Sequence, residues 1–226
     1  TAYGDSPYQP LSSFAGNPML ISIEDLVSRG LLSRDEVRSL TTLPKEYVDY
    51  GNLIPRKSAL LRLAASRFLS RADPGLLAAY EGFIERNDAD WLHDYALFRV
   101  LKSEHDERPW PEWSPDYVRR KPEALEKAAA DAADRIAEIM IVQFLFFHQW
   151  RRLRDYANEN GVRLFGDMPI YVALDSADAW VNRDLLLLDE DGHPSQIAGV
   201  PPDYFSSDGQ LWGNPLYDWD RHENSG

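Results

Sequence analysis

A long helical stretch leads directly into an apolar, strand-like stretch, and this order restricts the fold more than any other feature of the sequence. Residues 123–158 have the apolar spacing of one long helix or two abutting helices, and residues 162–172 are mostly apolar around Gly166 and Asp167. Helical spacing also occurs at 60–69, where apolar residues recur every three or four positions. Helices together with a strand that follows a helix predict an α/β fold.

Local signals mark the ends of other elements. Ser33 and Glu36 form the Ser-x-x-Glu pattern of a capping box, which predicts a helix start. Pro74 is compatible with the first turn of a further helix. Residues 103–122 combine charge with Pro and Trp and are predicted to form a surface connection, and the chain from Ser176 onward is predicted to be mostly loop.

Charge and residue usage argue against several functional classes. The 37 acidic against 24 basic residues give a net charge of −13, which repels phosphate backbones, so no nucleic-acid partner is expected. The absence of cysteine excludes disulfides and a thiolate nucleophile, and we expect a cytoplasmic protein. The apolar run 136–150 is too short and too polar to cross a bilayer, so no membrane partner is expected.

Motifs for metals, nucleotides and serine nucleophiles do not occur in the sequence. The histidines lack metal-ligand spacing, and there is no HExxH pattern, EF-hand loop, Walker or Rossmann glycine pattern, or Gly-x-Ser-x-Gly elbow. We therefore expect no cofactor and no metal.

Asp167 is the first candidate for ligand binding. A strand after a helix suits a β/α barrel, in which functional groups lie at the carboxyl ends of strands. A carboxylate at such a position can hydrogen-bond a polar ligand. An aspartate that ends a strand or stabilises a turn fits the pattern as well.

Residues 196–219 form the second candidate, a loop-rich stretch in which aromatic side chains alternate with Pro, Gly and Asp. Pyranose rings present apolar C–H faces that stack on aromatic rings, and their hydroxyls need polar partners at the ring edges. A long loop inside a compact domain is often functional. The alternative is that these aromatics fill a local core. They are Tyr204, Phe205, Trp212, Tyr217 and Trp219.

The N-terminal residues 3–18 are rich in aromatic and turn-forming residues. Their composition is compatible with a plain loop or with part of a binding site.

Three stretches in order resemble the amylomaltase and plant disproportionating-enzyme family: GDSPYQPLSSFAGNP (4–18), GDMPIYVALDSADAW (166–180) and AGVPPDYFSSDGQLWGNPLY (198–217). The resemblance runs along almost the whole chain. It implies part of an alpha-amylase-like (β/α)8 barrel with mainly helical insertions. Residues 1–23 would then be a barrel segment with an active-site loop, 24–130 helical insertions, and 131–226 a barrel segment with substrate-binding loops.

The resemblance also implies roles for individual residues. Tyr8 corresponds to a tyrosine near the scissile sugar and Asp167 to a substrate-side aspartate. Tyr204 and Phe205 correspond to a flexible loop over the acceptor sites. Asp203, Trp212 and Asn214 belong to the same active-site segment, and Tyr3 and Tyr50 correspond to a secondary glucan-binding site.

The reaction that the resemblance implies is transfer of α-1,4-glucan segments between maltooligosaccharides or starch-like glucans, with retention at the anomeric carbon. Such chemistry uses a nucleophile and an acid/base carboxyl about 5 Å apart. The family strings that carry this pair, of Arg-Ile-Asp-His-Phe-Arg and Gly-Glu-Asp type, do not occur here. We do not assign a nucleophile among Asp175, Asp178, Asp203 and Asp208, since each has a turn or cap explanation.

The chain is therefore interpreted as a fragment without the catalytic carboxylates. We expect it to be inactive in maltotriose disproportionation, weak or silent in glucan binding, and prone to aggregation through exposed strand backbone. A non-catalytic α-glucan-binding protein and an acidic helical scaffold are the alternatives.

Overall fold

The computed structural model describes residues 9–167 and 169–224, in which helices predominate and two strands pair into a sheet. The helices are α1 (Ile23–Ser28), α2 (Tyr50–Arg71), α3 (Pro74–Asn87), α4 (His93–Glu104), α5 (Pro115–Val118), α6 (Pro122–Asp131), α7 (Ala133–Glu159), α8 (Ala177–Val181) and α9 (Trp219–Asn224). The strands are β1 (Ile197–Val200) and β2 (Gln210–Pro215). Short 3₁₀ turns occupy Pro18–Leu20, Glu36–Leu40, Trp110–Glu112 and Arg183–Leu185, and a π turn occupies Asp88–Leu92.

The chain divides into two compact units. The first unit takes in the described parts of 1–15, 97–132 and 167–226, and the second unit takes in 16–96 and 133–166. These units cross the boundaries predicted at 23/24 and 130/131. The assignment of segments to barrel and insertion stays a prediction.

The second unit is built on an aromatic core between its three longest helices. Phe68 of α2, Tyr80 of α3 and Phe144 of α7 lie edge to face, with ring centroids 5.3–5.6 Å apart. Phe83 of α3 extends this cluster by contacting Phe144 and Phe147. Edge-to-face contacts suit the ring quadrupoles and add to the burial of apolar area. The predicted apolar stripe of α2 therefore faces α3 and α7.

The capping box of the second unit has the predicted geometry. The Ser33 N–H donates to the Glu36 carboxylate over 2.8 Å, and the Glu36 N–H donates back to the Ser33 hydroxyl over 3.4 Å. The element that follows is a 3₁₀ turn and not an α-helix. Arg67 of α2 also donates to both Glu36 oxygens, and these hydrogen bonds lower the pKa of Glu36 to about 2.

Two glutamines of α7 fix the segment before α1. Gln143 accepts a hydrogen bond from the Gly16 N–H over 2.8 Å and donates to the Gly16 carbonyl over 3.1 Å. Gln149 likewise accepts a hydrogen bond from the Ser22 N–H over 2.7 Å and donates to the Ser22 carbonyl over 3.2 Å. Gly16 is buried, and a Cβ there would overlap the ring of Phe146. The close approach of backbone to ring therefore requires glycine at position 16.

The first unit has a tryptophan core that corrects the sequence prediction for residues 103–122. Trp110 and Trp113 lie in this supposed surface connection but are 0% and 4% exposed. Trp113 packs against Trp180 of α8 and Phe98 of α4, with centroids 5.8 and 5.4 Å away. The Trp110 indole donates to the Leu174 carbonyl over 2.6 Å. The segment is buried because its indoles find both apolar neighbours and acceptors.

Lys102 of α4 lies buried in the first unit, with 3% exposure. Its ammonium donates to the carbonyls of Glu107 and Arg108 and to the Asp175 carboxylate, over 3.0, 3.1 and 2.6 Å. A buried ammonium needs this degree of pairing. Lys102 thereby joins the turn after α4 to the segment before α8.

The strand predicted at 162–172 is not formed in the described part of that range. Residues 162–167 and 169–172 have no strand assignment, and none of the described strands pairs with them. Phe165 is fully exposed and Ile170 is 77% exposed. An apolar run predicts burial, but a strand also needs a neighbouring strand to complete its hydrogen bonds.

The part of the chain after Ser176 also departs from the prediction, since it contains α8, β1, β2 and α9. No helix within 9–167 and 169–224 is both long and apolar enough to span a bilayer.

Candidate functional site

Asp178 brings the N-terminal segment to α8 within the first unit. Its carboxylate accepts hydrogen bonds from the Ser13 N–H over 2.6 Å and from the Ser12 hydroxyl over 3.3 Å. The Ala177 N–H donates to the Leu11 carbonyl over 2.8 Å. Burial raises the pKa of Asp178, and the bonds from Ser13 and Ser12 offset this only in part. The carboxylate therefore has a structural use, because it binds the N-terminal segment to the start of α8.

Strands β1 and β2 form an antiparallel hairpin that presents residues 201–209, called the aromatic loop below. Val200 pairs with Gln210, and the register shifts between Ile197 and Gly199. Gly209 closes the loop with a φ of +74°, and a Cβ there would lie 2.5 Å from the Val200 carbonyl oxygen. Both the left-handed backbone and the close approach require glycine at position 209.

Asp203 stabilises the turn that exposes the two aromatic side chains of this loop. Its carboxylate accepts hydrogen bonds from the N–H groups of Phe205 and Ser206, both over 2.9 Å. Tyr204 and Phe205 are 97% and 86% exposed, and their rings lie 5.6 Å apart and nearly perpendicular. These rings are therefore not part of a local core. Asp203 thus shows the usual preference of aspartate for turns, in which its side chain binds the backbone that follows it.

A second group of aromatic rings lies along β2 and the residues after it. The ring centroid of Tyr171 lies 6.2 Å from the ring centroids of both Trp212 and Tyr217, and the ring is nearly parallel to that of Tyr217. Tyr217 lies 5.3 Å from Trp219. Trp212 and Trp219 are 41% and 67% exposed, so this group also presents apolar ring area to solvent.

Two side chains from the end of the hairpin bind the backbone that follows Asp167. The Asn214 amide donates to the Val172 carbonyl over 2.8 Å, and the Tyr217 hydroxyl donates to the Ile170 carbonyl over 3.0 Å. Burial raises the pKa of the Tyr217 phenol, which favours the protonated form that donates this bond. Asp167 itself is exposed.

The predicted site residues thus fall into three groups. Asp167, Trp212 and Asn214 belong to the segment around Asp167 and to β2, which are joined by the hydrogen bonds of Asn214 and Tyr217. The aromatic loop carries Asp203, Tyr204 and Phe205. Tyr50 begins α2 in the second unit and is 42% exposed. Tyr3 and Tyr8 lie outside the described residues.

The sequence did not predict the ring contacts of Tyr171 or the hydrogen bonds that Asp178 accepts from the N-terminal segment. Asp178 contacts Ser12 and Ser13 across 166 and 165 positions of sequence. No local sequence pattern predicts a contact between residues so far apart in the chain. For Tyr171, its place within the family-like string 166–180 was the only signal in the sequence. Within the described residues no group of three or more His, Asp or Glu side chains could hold a metal ion.

Comparisons with known proteins agree with one another. The family model described as 4-alpha-glucanotransferase, glycoside hydrolase family 77, matches residues 1–226. The 4-alpha-glucanotransferase of Thermus thermophilus is 45% identical over 226 residues, which are all of this chain and 44% of that protein. The chloroplastic/amyloplastic 4-alpha-glucanotransferase of Oryza sativa is 43% identical over 223 residues, which are 98% of this chain and 37% of that protein.

A solved structure extends the likeness to the fold. The amylomaltase from Streptococcus agalactiae in complex with acarbose has a TM-score of 0.92 and 37% identity, and the match covers 100% of this chain and 45% of that one. The chain therefore spans less than half the length of the relatives it matches. The predicted fold class, α/β as part of an alpha-amylase-like barrel with helical insertions, is confirmed. The chain belongs to the 4-alpha-glucanotransferase family.

Proposed function

We propose that this chain supplies a glucan-binding part of a 4-alpha-glucanotransferase that transfers α-1,4-glucan segments between maltooligosaccharides or starch-like glucans. The observation that carries the proposal is the aromatic loop. Tyr204 and Phe205 are almost fully exposed on a turn that Asp203 and Gly209 hold. Exposed apolar rings on an ordered loop mark a surface that binds a ligand or a partner.

The chemistry of the surroundings favours a sugar as that ligand. Pyranose rings need flat apolar surfaces for their C–H faces and hydrogen-bonding groups for their hydroxyls. The rings of Tyr204, Phe205 and Trp212 offer the first kind of surface, and the exposed carboxylate of Asp167 offers the second. We assign Tyr204 and Phe205 to acceptor sugars and Asp167 and Trp212 to the bound chain near the reacting bond. Tyr8 is proposed to join them.

The proposed reaction is a double displacement with retention. One carboxylate attacks the anomeric carbon while a second carboxyl protonates the departing sugar oxygen, and that second group then deprotonates the hydroxyl of the acceptor. We propose that these two carboxyl groups are not among the 226 residues. The reaction needs no metal or other cofactor. Aromatic rings at the acceptor sites favour a sugar over water as the second nucleophile.

Two finer assignments accompany this proposal. Tyr50, exposed at the start of α2, is proposed to belong with Tyr3 to a secondary glucan-binding site. Cytoplasmic residence is proposed as well, in keeping with a sequence that contains no cysteine.

Removing both rings of the aromatic loop is expected to weaken glucan binding. For Tyr204→Ala/Phe205→Ala we expect an increase of at least about 10-fold in the dissociation constant for maltoheptaose, since a loss of about 1.4 kcal/mol produces a tenfold change. Ligand-observed NMR on the purified chain can measure this because it detects weak binding. Tyr156→Ala is the matched control, because that ring is 65% exposed in the second unit. Equal weakening in both variants would contradict the assignment.

A further inference from the structure

Residues 169–172 pair with none of the described strands, yet two of their carbonyls accept hydrogen bonds from side chains. Ile170 and Val172 are two positions apart, on either side of Tyr171, where the chain bends. The donors are the Tyr217 hydroxyl and the Asn214 amide, over 3.0 and 2.8 Å. Two side chains thus bind carbonyls of a segment that has no regular secondary structure of its own.

Both donors are themselves held in place. Asn214 lies in β2 and is 8% exposed. Tyr217 forms an antiparallel bridge with Leu186, and its ring lies nearly parallel to that of Tyr171. The carbonyls are therefore bound by side chains that have little freedom to move away. The side chains of Asn214 and Tyr217 are called the latch below.

The latch connects two parts of the proposed site. Strand β2 begins directly after the aromatic loop, and the latch residues lie at and beyond the other end of that strand. The bound carbonyls belong to residues three and five positions after Asp167. A displacement of residues 169–172 would therefore change the position of Asp167 relative to the hairpin that presents Tyr204 and Phe205.

We propose that Asn214 and Tyr217 are positioning residues, which hold the segment 169–172 and thereby set the place of the Asp167 carboxylate relative to the aromatic loop. This inference rests on the proposed function, because it assigns the latch to the same glucan site. It gives Asn214 a role different from direct sugar contact. Its amide is buried and already donates to protein.

Limited proteolysis tests whether the latch holds the segment, without any ligand. Tyr217→Phe removes one hydrogen bond and keeps the ring, and Asn214→Asp removes the other donor at nearly constant volume. We expect the initial rate of chymotrypsin cleavage after Tyr171 to rise by about 2- to 10-fold in each variant, as the loss of one hydrogen bond implies. Cleavage after Phe165 and Tyr204, which are exposed already, should stay unchanged. Unchanged cleavage after Tyr171 would overturn the proposal.

A double-mutant cycle tests whether the latch acts through Asp167. Tyr217→Phe is expected to weaken maltoheptaose binding by about 2- to 10-fold in the wild-type background and to have no effect in an Asp167→Ala background. A purely structural role would weaken both backgrounds equally, and that result overturns the inference while the proposed function stands. If the wild-type chain shows no saturable binding at all, the proposed function fails, and the positioning role fails with it.

Discussion

Replacing Trp180 by alanine is expected to lower the free energy of unfolding of the first unit by about 3–5 kcal/mol, the usual cost of truncating a buried tryptophan. Trp180 is 0% exposed and lies 5.8 Å, between ring centroids, from both Phe98 and Trp113. Its indole donates to the Tyr117 carbonyl over 2.9 Å. The substitution therefore removes ring contacts with α4 and with the segment that contains Trp113, and it removes one of the two donors to the Tyr117 carbonyl, which also accepts from the Arg120 N–H. Such a loss is a large part of the stability of an ordinary domain.

Urea unfolding followed by near-ultraviolet circular dichroism can measure this effect, since that signal depends on the packing of aromatic rings. Trp219→Ala is the matched control because Trp219 is 67% exposed in the same unit. We expect the control to remain within about 0.5 kcal/mol of the wild type. A Trp180→Ala variant that unfolds at the wild-type urea concentration would show that the tryptophan cluster is not the core of the first unit.

Replacing Gln143 by leucine is expected to destabilise the second unit by about 2–6 kcal/mol. The side chain is 1% exposed and satisfies both the N–H and the carbonyl of Gly16. Leucine fills a similar volume but leaves two buried backbone groups unpaired, and each such group costs about 1–3 kcal/mol. Gly16 is itself buried, so its two groups are not exposed to bulk water when the amide is removed.

Gln149→Leu provides the comparison within the same helix. Gln149 makes the same pair of bonds to Ser22, but at an exposed position. Water can bind the Ser22 groups after the substitution, so we expect a loss below about 1 kcal/mol. The measurement is the difference in thermal midpoint between each variant and the wild type. If both variants melt at the same temperature, the burial of the two Gly16 hydrogen bonds does not add to the stability of the second unit as predicted.

Local signals in the sequence predicted several elements correctly. The reciprocal bonds of Ser33 and Glu36 form as the capping box predicts, and Pro74 lies at the first position of α3, where its missing N–H has no cost. The run 123–158 divides into two abutting helices, as one of the two interpretations held. These features depend on residues three to four positions apart, which a sequence displays directly.

Features that depend on distant residues could not be predicted. Burial of Trp110 and Trp113 depends on α4, α8 and the carbonyl of Leu174, none of which adjoins them in sequence. The apolar run at 162–172 indicated a strand, but pairing needs a second segment that local spacing does not specify. Whether Tyr204 fills a core or faces solvent was equally open, and its 97% exposure decides that question.

For the candidate site, too, some features could be predicted from the sequence and others could not. The resemblance selected Asp167, Asp203 and Asn214 by position, and their roles remain proposals. Geometry then separates them, because Asp203 holds its own turn and Asn214 binds the Val172 carbonyl, whereas Asp167 is exposed. A motif identifies which residues belong to a site, and the hydrogen bonds distinguish side chains that face a ligand from those that support the backbone.

Binding of an α-1,4-linked glucan to this chain tests the central claim most directly. Purified 1–226 would be titrated with maltoheptaose and, in parallel, with cellohexaose, in which the glucose units are β-1,4-linked, and both would be followed by ligand-observed NMR. We predict a saturable response to maltoheptaose with a dissociation constant of about 1–10 mM, since part of the site is proposed to lie outside these residues. Cellohexaose should give no saturable response. No saturable response to maltoheptaose, or equal responses to both sugars, would contradict the account.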